Sequence, residues 1–370
     1  MSSSTLRASY TDAIARVTAL VTAARHLVTN DAGAFAPEPS LIAALAASSG
    51  LHASSVRWAL EHSLEWSADE AACSALVAGA GEPVIGGSLV LVLSANVTTA
   101  ALRALACAVA RSSDVIVYPS SRDAMLAELI VEHSGLTGLR VERDRDTLPW
   151  GDASVHTVLY GSAATARELR ARCKGTLEVH GPGLGIAVLT DDDDGAAMES
   201  LALDVAAFDQ RGCLSPRLAL HIGSPAHGVR LAETLFASLQ DLARARPVGA
   251  LDDRDRHERA LYIQTGRVLG DVWTSPDASV VHRVGSAAVD PGPAGRVIPV
   301  YTVSSWAQAH ALLAPLAPLV SNVGASLAPT RAAVFPGQSL RRSALGLMQR
   351  PAFDGPVDLR PHGPDRPVSR

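Results

Sequence analysis

Between residues 10 and 78, apolar positions recur at helical spacing, interrupted at 30–40 and again at 49–50, and predict an N-terminal helical segment. From Ser88 the period changes. SLVLVLSA and DVIVYPS are short, continuous, β-rich apolar runs, and each leads into a helical stretch, TTAALRALACAVARS and RDAMLAELIVEHSG. VHTVLYG ends a third strand at Gly161 and a helix follows over 162–172. Alternating strands and helices of these lengths predict parallel βαβ units covered on both faces, a doubly wound α/β layer of the nucleotide-binding type.

Beyond Lys174 the alternation continues with less regularity. TLEVH and LGIAVLT read as strands split by Gly181-Pro182-Gly183, AAMESLALDVAAF as a helix, and RLALHIG as a strand. Residues 224–247 read as a surface helix and the charged run 252–259 as its solvated continuation. Pro and Gly accumulate over 275–295 and predict a loop, followed by a strand at RVIPVYTV and a helix at SWAQAHALLAPL. From Arg350 on, Pro, Asp and Arg dominate and predict an extended tail.

At 370 residues and 48% hydrophobic the chain has ample material for a buried core, as two domains or one large one. Lys174 is the only lysine among 32 basic residues, which excludes a GxxxxGK[ST] phosphate loop and leaves a Schiff-base enzyme no other lysine to use. A formal net charge of −5 with no basic stripe argues against a nucleic-acid partner. No apolar run is long enough for a membrane span. No secretory pattern opens the chain, and the four cysteines lack metal-binding or disulfide spacing, so a cytoplasmic location and no metal site are expected. The four aspartates 191–194 could suggest a metal, but adjacent carboxylates cannot all face one ion, and a helix N-terminus is the preferred reading.

Cys213 is the candidate nucleophile. Gly212 before it permits close backbone approach, Ser215-Pro216 after it fixes a turn, and its neighbours are polar, whereas Cys73, Cys107 and Cys173 sit in helices or at a helix end. Glu178 and His180 lie on the same side of one predicted strand. The other histidines show no pairing.

The stretch Phe208-Asp209-Gln210-Arg211-Gly212-Cys213-Leu214-Ser215-Pro216 resembles the nucleophile motif of the acyl-CoA reductase family, a branch of the aldehyde dehydrogenase superfamily that includes the fatty acyl-CoA reductases of bacterial bioluminescence. SLIAALAASSGLHASSVRWALEHSLE, SANVTTAALRAL, LYGSAATARELR and Gly346-Leu347-Met348-Gln349-Arg350-Pro351 are similar, in order, to the family's helical region, asparagine turn, cofactor turn and closing motif.

This resemblance implies an aldehyde dehydrogenase-like fold: an N-terminal helical segment over 1–80, a Rossmann-like cofactor domain over 81–176 to which 326–370 returns, and an α/β catalytic domain over 177–325. It implies reduction of an acyl-CoA or other acyl thioester to aldehyde with NADPH or NADH, through an acyl group on Cys213, and a homo-oligomer. Asn96 matches the oxyanion-hole asparagine; Glu178, 35 residues before Cys213, lies near the superfamily's general base and is preferred over His180, the competing acid/base group; Tyr118, Ser120, Gly161 and Ser162 match cofactor positions. Tyr118 stands where the superfamily carries a ribose-contacting lysine. Two alternatives stay open: a CoA-acylating or hydrolytic aldehyde dehydrogenase, and a non-catalytic relative that binds acyl groups or a partner.

Overall fold

The computed structural model describes residues 3–326 and 334–360. Four helices come first: α1 (Ser3–Val28), α2 (Pro39–Ser49), α3 (Ala53–His62) and α4 (Glu70–Gly79). In α1, Val17, Leu20, Val21, Ala24 and Val28 form one fully buried stripe, so most of what holds this long helix is a single packed face.

Then follow β1 (Leu89–Val92), α5 (Ala100–Arg111), β2 (Val115–Tyr118), α6 (Met125–Ser134), β3 (Leu139–Val141), β4 (His156–Tyr160), α7 (Ala163–Arg172) and β5 (Thr176–His180). The five strands make one parallel sheet in the order β3-β2-β1-β4-β5. Every residue of β1 is buried, as a strand covered on both faces requires. The chain reverses its direction of winding between β1 and β4, and the crevice at the carboxyl ends of these strands is the usual ligand position in such sheets.

Gly181-Pro182-Gly183 leads to the second sheet, built from β6 (Leu184–Thr190), α8 (Gly195–Ala206), β7 (Pro216–Ile222), α9 (Pro225–Ala245), α10 (Asp253–Leu269), β8 (Asp271–Thr274), β9 (Ser279–Val284), β10 (Val297–Val303), α11 (Trp306–Leu313), β11 (Val320–Ala325) and β12 (Arg341–Ala344). Its order is β12-β11-β6-β7-β10-β9-β8, parallel throughout except for β8 against β9.

Several expectations change. The boundary expected at 176/177 falls after His180, because β5 pairs with β4 of the first sheet. The charged run 252–259 is no continuation of α9: Asp252 accepts from the Asp255 N–H and starts a separate helix. The loop expected over 275–295 contains β9, buried along all but its last residue. The segment 326–370 does not return as a unit. Its β12 pairs with β11 in the second sheet, while 351–355 reach α5; 327–333 and 361–370 lie outside the described residues.

That reach is held by Arg103, whose guanidinium is 1% exposed, pairs with Glu65 at 2.8 Å, and donates to the carbonyls of Pro351, Ala352 and Gly355. Truncation would leave three buried acceptors and Glu65 unanswered. Arg103→Met is expected to destabilise the protein by about 3 kcal/mol, read as a fall of several degrees in the thermal midpoint by calorimetry.

Candidate active site

The carboxyl ends of the first sheet face the amino ends of β6 and β7, and a cleft of about 600 Å³ lies between them. Ser94 to Ala101 after β1, Tyr118 at the end of β2 and Ser120 after it, Gly161 and Ser162 after β4, and His180 at the end of β5 line one side. Cys213 lines the other, in the turn before β7.

An unusual backbone delivers Cys213. Phe208, Asp209 and Gln210 all have positive φ, at 52°, 48° and 61°. Left-handed conformation costs about 1–2 kcal/mol for each residue with a side chain, so three in a row persist only where the surroundings impose them. Asp209 is fully buried and pairs with the fully buried Arg296 at 2.8 Å. Its second oxygen accepts from the Gly249 N–H and its carbonyl from the Gly295 N–H. Arg296 donates further to the carbonyls of Arg246 and Pro247, Gln210 to those of Pro216 and Val297, and Phe208 meets Trp58 edge-on.

Downstream of this knot, a Cβ on Gly212 would come within 3.2 Å of Val97, Ser215 and Gln349, so the turn carrying Cys213 packs directly on the turn carrying Asn96 and on the 346–351 stretch. Asp204 secures that stretch by accepting the Gly346 and Met348 N–H groups. Ser321 of β11 donates to the Cys213 carbonyl. Asn96 is exposed in the cleft, and its amide has no hydrogen-bond partner among the described residues.

Burial pushes the Cys213 thiol up to about 12, with the nearby Asp358 charge acting in the same direction; Arg360 and the N–H groups of Cys213 and Leu214 only partly offset them. At neutral pH the group is a thiol.

The preference for Glu178 over His180 is reversed by position. Glu178 does not line the cleft; it is bound by Arg111 at 2.8 Å, His156 at 3.2 Å and His180 at 3.1 Å. Burial opposes its charge, yet these three partners hold it far below the usual carboxylate range, so it takes no proton at neutral pH. His180 does line the cleft, stacked on Tyr160 at 4.3 Å. Its Nε2–H donates to Glu178, a tautomer assigned from that bond, which leaves Nδ1 as the basic nitrogen.

The tail contributes residues that its composition did not suggest. Asp358 lines the cleft and pairs with Arg360 at 2.6 Å, both nearly fully buried. Arg360 also donates to the carbonyls of Gly181, Pro182, Pro318 and Leu319, clamping the connection between the two sheets. Burial opposes the Asp358 charge, but Arg360 holds its carboxyl below the ordinary value.

Outside the cleft, Asp194 caps α8 through the Ala196 and Ala197 N–H groups, as the helix-terminus reading of the aspartate run expected. The histidines expected to be unpaired are not all so: His221 lies 3.1 Å from Asp191 and 3.2 Å from Thr302.

Residues 148–332 match the profile of the acyl-CoA reductase family LuxC. This chain belongs to that family. Among curated proteins none matches the sequence significantly. Solved structures confirm an aldehyde dehydrogenase-like fold for this family member. Aldehyde dehydrogenase 21 from Physcomitrella patens, solved with the reaction product succinate, superposes with a TM-score of 0.66 at 14% identity, over 95% of this chain and 80% of that one. Methylmalonate-semialdehyde dehydrogenase from Oceanimonas doudoroffii gives 0.66 at 15%, over 92% and 79%. An acetylating aldehyde dehydrogenase from Geobacillus thermoglucosidasius gives 0.59 at 12%, over 94% and 83%.

Two outcomes test the site's construction. Alkylation of Cys213 by iodoacetamide, followed by peptide mass, is expected to accelerate about tenfold per pH unit from pH 7 to 10 without the plateau near 8.5 of an ordinary cysteine. Asp209→Ala, which strands Arg296 as a buried unpaired charge, is expected to cost about 3–5 kcal/mol in urea denaturation.

Proposed function

We propose that this acyl-CoA reductase family member reduces a fatty acyl thioester to its aldehyde at the expense of NADPH, with Cys213 carrying the acyl group between two half-reactions. The observation that supports this reading most is the meeting of Cys213, Asn96 and His180 around one cleft. In the first half-reaction the Cys213 sulfur bonds to the thioester carbonyl carbon, and the bond to the coenzyme A sulfur breaks, leaving coenzyme A with the electron pair. His180 Nδ1 takes the Cys213 proton, directly or through one water, and returns it to the departing sulfur. Glu178 and Asp358 stabilise the imidazolium in between. The negative charge that develops on the carbonyl oxygen is met by the Asn96 amide and the Cys213 backbone N–H.

The five-stranded sheet would hold the cofactor and the seven-stranded sheet the nucleophile. The residues present fit a nicotinamide dinucleotide. Gly161 and Ser162 lead into the amino end of α7, whose first turn carries no acidic side chain, and offer it a pyrophosphate position. Tyr118 and Ser120 would border the ribose. Arg122 lines the same cleft, exposed and without a side-chain partner among the described residues, while the neighbouring Asp123 is committed to Ser48 and Thr98. A free guanidinium beside an engaged carboxylate favours a 2′-phosphate over a bare 2′-hydroxyl. A reduced nicotinamide held there would supply hydride to the acyl carbon; the bond from that carbon to the Cys213 sulfur then breaks as aldehyde leaves, and the thiolate regains its proton from solvent by way of His180.

The hydrolytic alternative needs a carboxylate able to activate water, and Glu178 is neither in the cleft nor able to accept a proton at neutral pH. Aldehyde is therefore the expected product, in one-to-one ratio with NADPH consumed; acid with free coenzyme A would contradict the reading. Asn96→Ala is expected to lower kcat about 10²–10³-fold, and His180→Gln about 10²–10⁴-fold, in a coupled NADPH-oxidation assay. In fluorescence titrations Arg122→Ala should weaken NADPH binding at least tenfold and leave NADH binding within twofold.

A further inference from the structure

At the end of the seven-stranded sheet remote from Cys213, three side chains converge that the reaction does not use. Strand β7 begins three residues after Cys213 and runs for seven residues, so its far end lies roughly 20 Å away along the strand. His221 is in β7 near that end, Asp191 follows the adjacent β6, and His227 is in the first turn of α9. Their ligand atoms all lie within 4.8 Å of one another. We propose that Asp191, His221 and His227 form a site for a divalent transition cation of the zinc class, fastening β6, β7 and α9 together.

The surroundings of each residue suit ligation. Any side chain at Gly223 would overlap the Asp191 carboxylate, which is seated there by the Ser224 N–H at 3.2 Å and already answers the positive end of α9. His221 is fully buried, with Nε2 turned to Asp191 and Nδ1 3.2 Å from the Thr302 hydroxyl. That hydroxyl lies 2.9 Å from His282 Nε2 in turn. Donation can run in either direction along this row. When His221 Nδ1–H donates to Thr302 and Thr302 donates to His282, the Nε2 lone pair of His221 is free for a cation.

His227 has the complementary arrangement. Its Nε2 faces the Asp193 carbonyl at 3.1 Å and donates to it, leaving Nδ1 as the ligating atom. The Arg230 guanidinium sits on Nδ1 at 3.0 Å and is exposed, so a cation can displace it without disturbing the core. A metal-bound imidazole normally donates its other N–H to an oxygen, and both histidines have that oxygen in place. Two imidazoles and one carboxylate favour Zn²⁺, Co²⁺ or Ni²⁺ over Mg²⁺ or Ca²⁺, which prefer oxygen alone. The half-exposed Asp191 provides the entry. The sequence reading, which expected no metal site, considered cysteine spacing and the aspartate run but had no means of placing His221 and His227 beside Asp191.

The test is titration of the full-length Cys213→Ser variant, stripped with chelator, with Co²⁺. One equivalent is expected to produce a visible ligand-field band that Zn²⁺ abolishes by competition, and excess Zn²⁺, but not Mg²⁺, should raise the thermal midpoint by several degrees. His227→Ala and Asp191→Asn should each weaken Co²⁺ binding at least tenfold, the partly exposed His227 serving as the variant least able to perturb folding. Absence of a stoichiometric band, or binding indifferent to both substitutions, would overturn the proposal and leave the three residues as a hydrogen-bonded structural cluster.

Discussion

The buried Asp209–Arg296 pair is the constraint on which the cleft depends. A left-handed run of three residues is costly, and only a fixed set of partners makes it the lowest-energy course for the chain. Asp209 and Arg296 supply that set by gathering the segment before Cys213, the start of β10 and the end of α9 around two charges that have no water to turn to. Because both are buried, their separation costs far more than that of a surface pair. The turn that carries Cys213 is thus held in one place.

Two further arginines extend the same logic to the ends of the chain. Arg103 binds the stretch 351–355 to α5, and Arg360 binds the connection between the sheets. Both work mainly through backbone carbonyls, which a planar five-donor group can satisfy several at a time. The consequence for the site is electrostatic. Arg360 keeps Asp358 ionised, and burial together with that charge keeps the Cys213 thiol protonated.

The alternating first sheet was legible in the sequence because strands covered on both faces, such as LVLV in β1, stand out as uninterrupted apolar runs. Strand β9 was not, since His282 and Arg283 are buried within it against Thr302 and Tyr301 of β10, partners that no local pattern reveals. Strand β11 was hidden the same way by Ser321 and Asn322. Cys213, Asn96, Tyr118, Ser120, Gly161, Ser162 and His180 were legible as turn and strand-end residues, and all reach the cleft. Glu178 does not reach the cleft, and its engagement by His156 of β4 and Arg111 of α5 is a set of cross-layer contacts that no local pattern reveals. Asp358 and Arg360 carried no signal, because a Pro-rich charged tail reads alike whether it is solvated or buried.

The central claim is that Cys213 carries the acyl group, and trapping it is the most direct measurement. The protein is incubated with a long-chain acyl-CoA in the absence of any nicotinamide, quenched in acid and digested for peptide mass analysis. The account expects one acyl group per chain on the peptide containing Cys213, lost when NADPH is added before the quench and absent in Cys213→Ala. An acyl group on another residue, or none on the wild-type chain, would contradict it.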